Sequence, residues 1–451
     1  MPSKSFIIII FQIILIIGNI HTIIIPIKTH FPIFNNSNII PYYTYRILYS
    51  IIELGSPKQS VLMNLSLKEN SFYLDKIDNN NKINEIISQY NYNKSSTSLL
   101  LSEFNQAYGK FYKDGGFISD NFYFLENLNE EKKLFKNISF FLSSKDDINL
   151  YFTVGIGLQK KSKDKGFIDI LKDLNYSNTY DWFLNYTKDT KNSEEMILII
   201  GKKPHEYYPQ YYSENQVLIM NSYCSVSYLK WGILFNKIYI NNQSFNDFLD
   251  TEIDFKYGSL IAPNDYWDYI SNIYFNEYIN LNICSIDVNA DKMRYFSCNE
   301  KKFGKKDIIK APILYFYSVQ FNYTFEIRGE DLFELKNSKY YYLLFSQTFT
   351  YSWILGKPFF IKYPFLYNIE GRTISFYNPN IPYEGPYNNT NYKVNQDDIW
   401  KILLLGIIFL LILIYFLFSL RKKLKQRKIR SNELEDEFIY KSHDIIDNNN
   451  I

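Results

Sequence analysis

Thiol and metal chemistry depends on Cys, His and carboxylates at short, recurring spacings. The three cysteines, Cys224, Cys284 and Cys298, form no CxxC pair, and the four histidines, His21, His30, His205 and His443, are scattered along the chain. That spacing points to no zinc or iron centre, and no cofactor is expected. A pair of carboxylates does proton chemistry in another way. Held close, two like charges cannot both ionise, so the pair shares one proton and one group acts as base while the other acts as acid. The chemistry is lost when either carboxylate is missing.

The elements that would position such groups are mostly strands. Hydrophobic residues make up 46% of the 451-residue chain, and 42 Tyr and 37 Phe supply bulky side chains suited to a pleated core. The interior reads as short apolar or alternating runs split by Gly, Asn, Asp and Pro, such as Ile197-Leu198-Ile199-Ile200-Gly201 and Ile238-Tyr239-Ile240. Asn241-Asn242 fits a hairpin turn. Phe167 to Asp173 is the best helical stretch. With both apolar ends set aside, roughly 350 to 375 residues remain, which suits two packed lobes. Net charge is +2 on 49 basic and 47 acidic residues, and the dense basic block lies outside the globular part. No nucleic-acid partner is expected.

Lys4 precedes the apolar run Phe6 to Ile17, the pattern of a secretory signal peptide or an uncleaved signal anchor. Ile402 to Leu420 is uncharged and long enough to span a bilayer, at about 1.5 Å per residue against roughly 30 Å of hydrocarbon. The basic stretch Arg421 to Arg430 follows it and marks the cytoplasmic side. The expected topology is therefore single-pass, type I, at a secretory-pathway or cell-surface membrane. Nine Asn-x-Ser/Thr sequons, at Asn35, Asn64, Asn93, Asn137, Asn175, Asn185, Asn242, Asn322 and Asn388, are compatible with a lumenal glycoprotein.

Several motifs, in order along the chain, resemble those of the pepsin-like aspartic proteases. Gly55-Ser56-Pro57-Lys58-Gln59 looks like the turn that leads into the first active-site loop, and Tyr108-Gly109 with Gly115 and Asp120 is similar to the flap hairpin. Gly155-Ile156-Gly157-Leu158 resembles the turn after the flap sheet, and Ile199-Ile200-Gly201 the strand before the second lobe. The most specific match is Trp353-Ile354-Leu355-Gly356-Lys357-Pro358-Phe359, continued by Asn368 and Thr373-Ile374-Ser375-Phe376, with Lys357 and Asn368 where the family usually has Asp. The resemblance spans about residues 45 to 378 and implies a mostly β, bilobal fold with a cleft between the lobes. Its topology is similar to that of beta-secretase and the membrane-tethered plasmepsins.

The resemblance also implies where the two carboxylates belong. Eleven residues beyond Gly55, the family's spacing, stands Ser66, and Ser66-Leu67-Lys68 takes the place of Asp-Thr-Gly. No histidine lies near Ser66 to make it a nucleophile. In the second lobe, Asp254 to Pro263 keeps the family's spacing, so Asp254 is the retained acid. Lys68 and Lys256 replace the glycines that let each loop turn tightly, and Leu67 and Phe255 replace the bracing hydroxyl residues. A lysine turned inward would hold Asp254 ionised, and one turned outward would be solvated. Tyr108 is the flap tyrosine, either capping the cleft or packed within the lobe. The family often has a disulfide where Cys284 and Cys298 fall, and Cys224 would remain a free thiol.

The expected organisation is a signal peptide or anchor at 1–25, lobes at 40–205 and 206–380, and a stalk at 381–401. A transmembrane helix at 402–420 and a cytoplasmic tail at 421–451 follow. The first functional expectation is a catalytically defective pseudoprotease that binds a peptide or protein segment in the inter-lobe cleft. An active aspartic endopeptidase with a divergent site and a surface structural or adhesive glycoprotein are the alternatives.

Overall fold

The protein, described by a computed structural model, is defined over residues 22–30, 47–67, 71–76, 90–102, 106–108, 111–143, 150–157, 165–186, 196–223, 230–288, 292–347 and 352–382. Period-two burial shows why these residues form strands. In Leu314–Ser318 the side chains of Leu314, Phe316 and Ser318 are buried, while Tyr315 and Tyr317 are half-exposed.

The first half contributes β1 (Ile23–His30), β2 (Ile47–Leu54), β3 (Gln59–Ser66), β4 (Phe72–Lys76), β5 (Leu99–Leu100) and β6 (Gln106–Tyr108). It continues with β7 (Phe111–Phe124), β8 (Lys133–Leu142), β9 (Leu150–Gly155), β10 (Asp181–Tyr186) and β11 (Met196–Ile200). The second half adds β12 (Val217–Asn221), β13 (Gly232–Ile240), β14 (Gln243–Ile253), β15 (Leu260–Ala262), β16 (Cys284–Val288) and β17 (Met293–Asn299). After these come β18 (Leu314–Ser318), β19 (Tyr323–Ile327), β20 (Phe333–Lys336), β21 (Lys339–Gln347), β22 (Trp353–Leu355), β23 (Phe365–Asn368) and β24 (Thr373–Tyr377). The expected helix forms at Phe167–Asp173, and Asn241-Asn242 turns β13 into β14.

Two sheets result. A 14-stranded sheet runs β12-β24-β23-β10-β11-β1-β2-β3-β9-β4-β8-β7-β5, with β6 on β7. A 10-stranded sheet runs β16-β17-β21-β15-β22-β14-β13-β18-β19, with β20 on β21. The larger sheet takes β12, β23 and β24 from late in the chain and joins them to β10 through the pairs Asp181↔Asn368, Trp182↔Tyr367 and Phe183↔Leu366.

The core is strongly aromatic, as the Tyr and Phe content requires. Trp182 stacks on Tyr367 at 4.3 Å, and Phe296 lies between Trp267 at 4.4 Å and Phe275 at 3.8 Å. Each such pair adds about 0.5–1.5 kcal/mol beyond the area it buries. Cys284 stands opposite Cys298 across β16 and β17, and the two are joined as a disulfide.

The N-terminal boundary differs from expectation. Ile23, Ile24 and Ile25, inside the segment expected at 1–25, belong to β1, pair with Ile200, Ile199 and Leu198 of β11, and are buried. Isoleucine serves a leader and a core strand equally well, so composition alone merges the two. Among the described residues no helix is long and apolar enough to cross a membrane. The segment 402–420, the stalk beyond Pro382, the tail, Cys224, Asn35 and Asn388 lie outside them.

Candidate functional site

In the second half, β14 runs parallel to β22 with Glu252↔Ile354 and Ile253↔Leu355 in register. Asp254 follows directly, its N–H donating to Leu355 O at 3.1 Å. The residue is 1% exposed, and its Oδ1 accepts the Lys256 backbone N–H at 3.0 Å. Gly356 lets the neighbouring turn approach, because a Cβ there would lie 2.1 Å from Ser259 O.

The first half repeats this arrangement. Strand β3 runs parallel to β9 with Leu65↔Val154 and Ser66↔Gly155, so Ser66 follows the partner of Val154 as Asp254 follows the partner of Leu355. Ser66 is 6% exposed, and its carbonyl accepts the Ile156 N–H at 2.8 Å. The register sets Gly155, rather than Gly157, opposite Ser66. Leu67 is buried, and Lys68 lies outside the described residues.

A short path of hydrogen bonds joins the two positions. Ile156, bonded to Ser66, accepts the indole Nε1–H of Trp231 at 2.8 Å, and Trp231 O accepts the Ile253 N–H at 2.9 Å. Sequence reasoning missed Trp231. Its signal was the rarity of tryptophan in a chain with five, just ahead of a strand-opening Gly232.

The electrostatics around Asp254 are those of alternating charges. Glu252, two residues back in β14, is paired with Lys230 at 2.5 Å. Lys256 is only 7% exposed, so it is buried rather than solvated. Phe255 is packed against Phe360 at 4.4 Å and Tyr367 at 6.0 Å. Apolar contacts fill the space around it. The Lys230–Glu252 pair was also missed, although Glu252, Asp254 and Lys256 alternate at strand period.

The Tyr108 hydroxyl donates to Lys165 O at 2.8 Å and accepts the Phe72 N–H at 2.9 Å. At 2% exposure, stacked on Phe141 at 5.2 Å, the side chain is packed within the first half. Asp120 sits at the centre of a buried polar cluster that holds the turn at Gly55. It accepts from Tyr90 Oη at 2.7 Å, Ser95 Oγ at 3.1 Å and the Asn121 N–H at 2.8 Å, while Ser95 Oγ also accepts the Ser56 N–H at 3.1 Å. Gly55 has φ +83°, a conformation that favours glycine. Burial, reinforced by the Asp120 charge, raises the Tyr90 phenol well above its ordinary value.

What the arrangement offers chemically is a buried carboxylate at Asp254 and a hydroxyl, Ser66, at the matching position. Among the described residues no cluster of His, Cys, Asp and Glu could hold a metal ion.

No family model and no curated relative matches the sequence. Among solved structures, the chain is similar to basic 7S globulin from soybean, with a TM-score of 0.55 and 11% identity over 82% of this chain and 97% of that one. The likeness shows the fold: mostly β, with the bilobal architecture of pepsin-like proteins.

Proposed function

We propose that this chain is a membrane-anchored pseudoprotease, a pepsin-like scaffold that holds an extended peptide or protein segment between its halves without cutting it. The observation that carries this reading is the matched register of Ser66 and Asp254: Ser66 directly follows Leu65, the parallel partner of Val154, and Asp254 directly follows Ile253, the parallel partner of Leu355. A serine hydroxyl cannot share a proton with Asp254 as a second carboxylate would. The burial of Lys256 and the packing of Phe255 add to the case, since both change the loop that a working dyad needs. Strand-like capture of a peptide asks only for backbone hydrogen bonds and side-chain pockets, which survive loss of catalysis.

The proposed location is a secretory-pathway or cell-surface membrane, with the globular part lumenal or outside. The apolar segment 402–420 and the basic residues behind it support this. Five sequon asparagines, Asn93, Asn137, Asn175, Asn242 and Asn322, are exposed and could carry glycans.

The test is a broad peptide library incubated with the detergent-solubilised full chain from about pH 3 to about pH 7 and read by mass spectrometry. The expected result is peptide binding with no cleavage, because losing a positioned acid–base group removes about 10²–10⁴ in rate even when its surroundings are intact. Ser66→Asp alone should restore little, since Leu67, Phe255 and Lys256 remain. Cleavage by the unmodified chain that vanishes in Asp254→Ala would establish an active peptidase instead.

A further inference from the structure

We infer that the second half carries a docking surface for a linear sulfated glycan, built from Lys301, Lys302, Lys305, Lys306, Lys310 and Lys339. The inference rests on the location proposed above, since such glycans are displayed in the secretory system and outside the cell.

The sequence supplies the charge and the fold gathers it. Five of these lysines fall within residues 301–310, and Lys339 joins them by pairing with Asn299 across β17 and β21. All six are exposed, and none has an ion-pair partner among the described residues. Elsewhere lysines are neutralised, as Lys132 is by Glu53, Lys230 by Glu252 and Lys362 by Asp331. Two acids lie in the stretch and neither pairs with a lysine. Asp307 is turned inward, its Oδ1 accepting from Tyr278 Oη at 2.9 Å and its Oδ2 accepting the Gly304 N–H at 2.9 Å, and Glu300 is half-buried.

The backbone that presents the lysines is fixed. The Cys284–Cys298 disulfide lies just ahead of the turn, where Asn299 O accepts the Lys302 and Phe303 N–H groups at 3.1 and 2.9 Å. Phe303 is buried against Tyr278 and Phe333, each at 5.2 Å. In the short helix Lys305–Ile309 and its cap Lys310, a turn of about 100° per residue sets Lys305, Ile309, Lys306 and Lys310 along an arc of about 140°, while Ile308 is buried. Like charges held on one face attract a polyanion. Each ammonium group is a point charge without the planar fork that matches a carboxylate, which fits sulfate better than an acidic peptide. Ile309, 60% exposed among them, is one apolar side chain, enough to meet the face of a sugar ring and too little area to hold a bilayer.

The experiment is acetylation footprinting of the detergent-solubilised full chain, read by mass spectrometry, with and without a heparin oligosaccharide. The expected result is slower acetylation at these six lysines and unchanged acetylation at the exposed Lys136 and Lys237. Protection confined to the basic block Arg421 to Arg430, or spread over all exposed lysines, overturns the inference. In affinity measurements across salt concentrations, Lys305→Gln, Lys306→Gln and Lys310→Gln together should lower the slope of log affinity against log salt by about 2–3, roughly one counterion per lysine. Glutamine at the ion-paired Lys58, Lys132 and Lys133 should change the slope by less. Equal changes in the two variants would assign binding to net charge and overturn the inference. Equal protection of the six lysines by mixed micelles containing phosphatidylserine would make a lipid surface the occupant and overturn it too. Digestion of the globular part in sealed microsomes would overturn the proposed location, and with it the glycan as occupant, while the footprint would still assign a polyanion to this surface.

Discussion

At the scale of single residues, the indole of Trp231 is placed where one atom has a measurable effect. Its Nε1–H satisfies Ile156 O inside a buried region, and Trp231→Phe keeps most of the ring while stranding that carbonyl. The expected cost is about 1–3 kcal/mol, seen as a lower midpoint in denaturant unfolding with an unchanged slope. An unchanged midpoint would mean that the carbonyl finds another donor. Asp120 gives a larger case. Asp120→Ala removes the acceptor for Tyr90, Ser95 and the Asn121 N–H together, so a loss of more than about 3 kcal/mol is expected. Asp120→Asn, which keeps one acceptor oxygen, should lose less. Equal losses in the two variants would show that shape, not hydrogen bonding, holds the Gly55 turn.

At the scale of elements, the short helix Pro204–Tyr207 is tied to β24 by a contact between His205 Nδ1 and Tyr377 Oη at 2.8 Å. Burial is the main reason that the His205 pKa is lowered from its ordinary 6.5, against the opposing pull of Glu206 and Glu214. The unfolded chain therefore takes up the proton more readily than the folded one. This contribution to stability is present above the ordinary value and is lost as pH falls through the lower folded value. Unfolding midpoints at about pH 7.5 and about pH 5.5 should differ more for wild type than for His205→Gln. A difference of equal size in both would assign the pH effect to other groups. Elements of this kind also show what could be read in advance. Helix Phe167–Asp173 and the Asn241-Asn242 hairpin were legible because their signals are local, whereas motif spacing singled out Ser66 and Asp254 only as positions, which stand at matching register in the two halves. Asp120 with Tyr90, 30 residues apart, and Trp231 with Ile156, 75 apart, were not legible, because no local pattern records a partner that distant. The start of β1 was hidden for another reason: Ile23 to Ile27 continue the Ile-rich composition of the residues before them, so composition gives no boundary.

At the scale of the whole molecule, the 14-stranded sheet binds early and late parts of the chain into one ladder. Asn368 Nδ2 donates to Asp181 Oδ1 at 2.7 Å across a separation of 187 residues, beside the backbone pairs of β10 and β23. Neither half can lose this sheet without opening an edge in the other, so calorimetry of the detergent-solubilised chain should show one unfolding transition for the globular part. Two well-separated transitions would show that the halves unfold independently. The same ladder constrains biosynthesis. Strand β10 leaves the ribosome long before β23, and at roughly 5–20 residues per second the delay is about 10–40 s. Throughout that interval the nascent first half presents an unpaired flank, which a chaperone can cover and which a strand from a neighbouring polypeptide can occupy first.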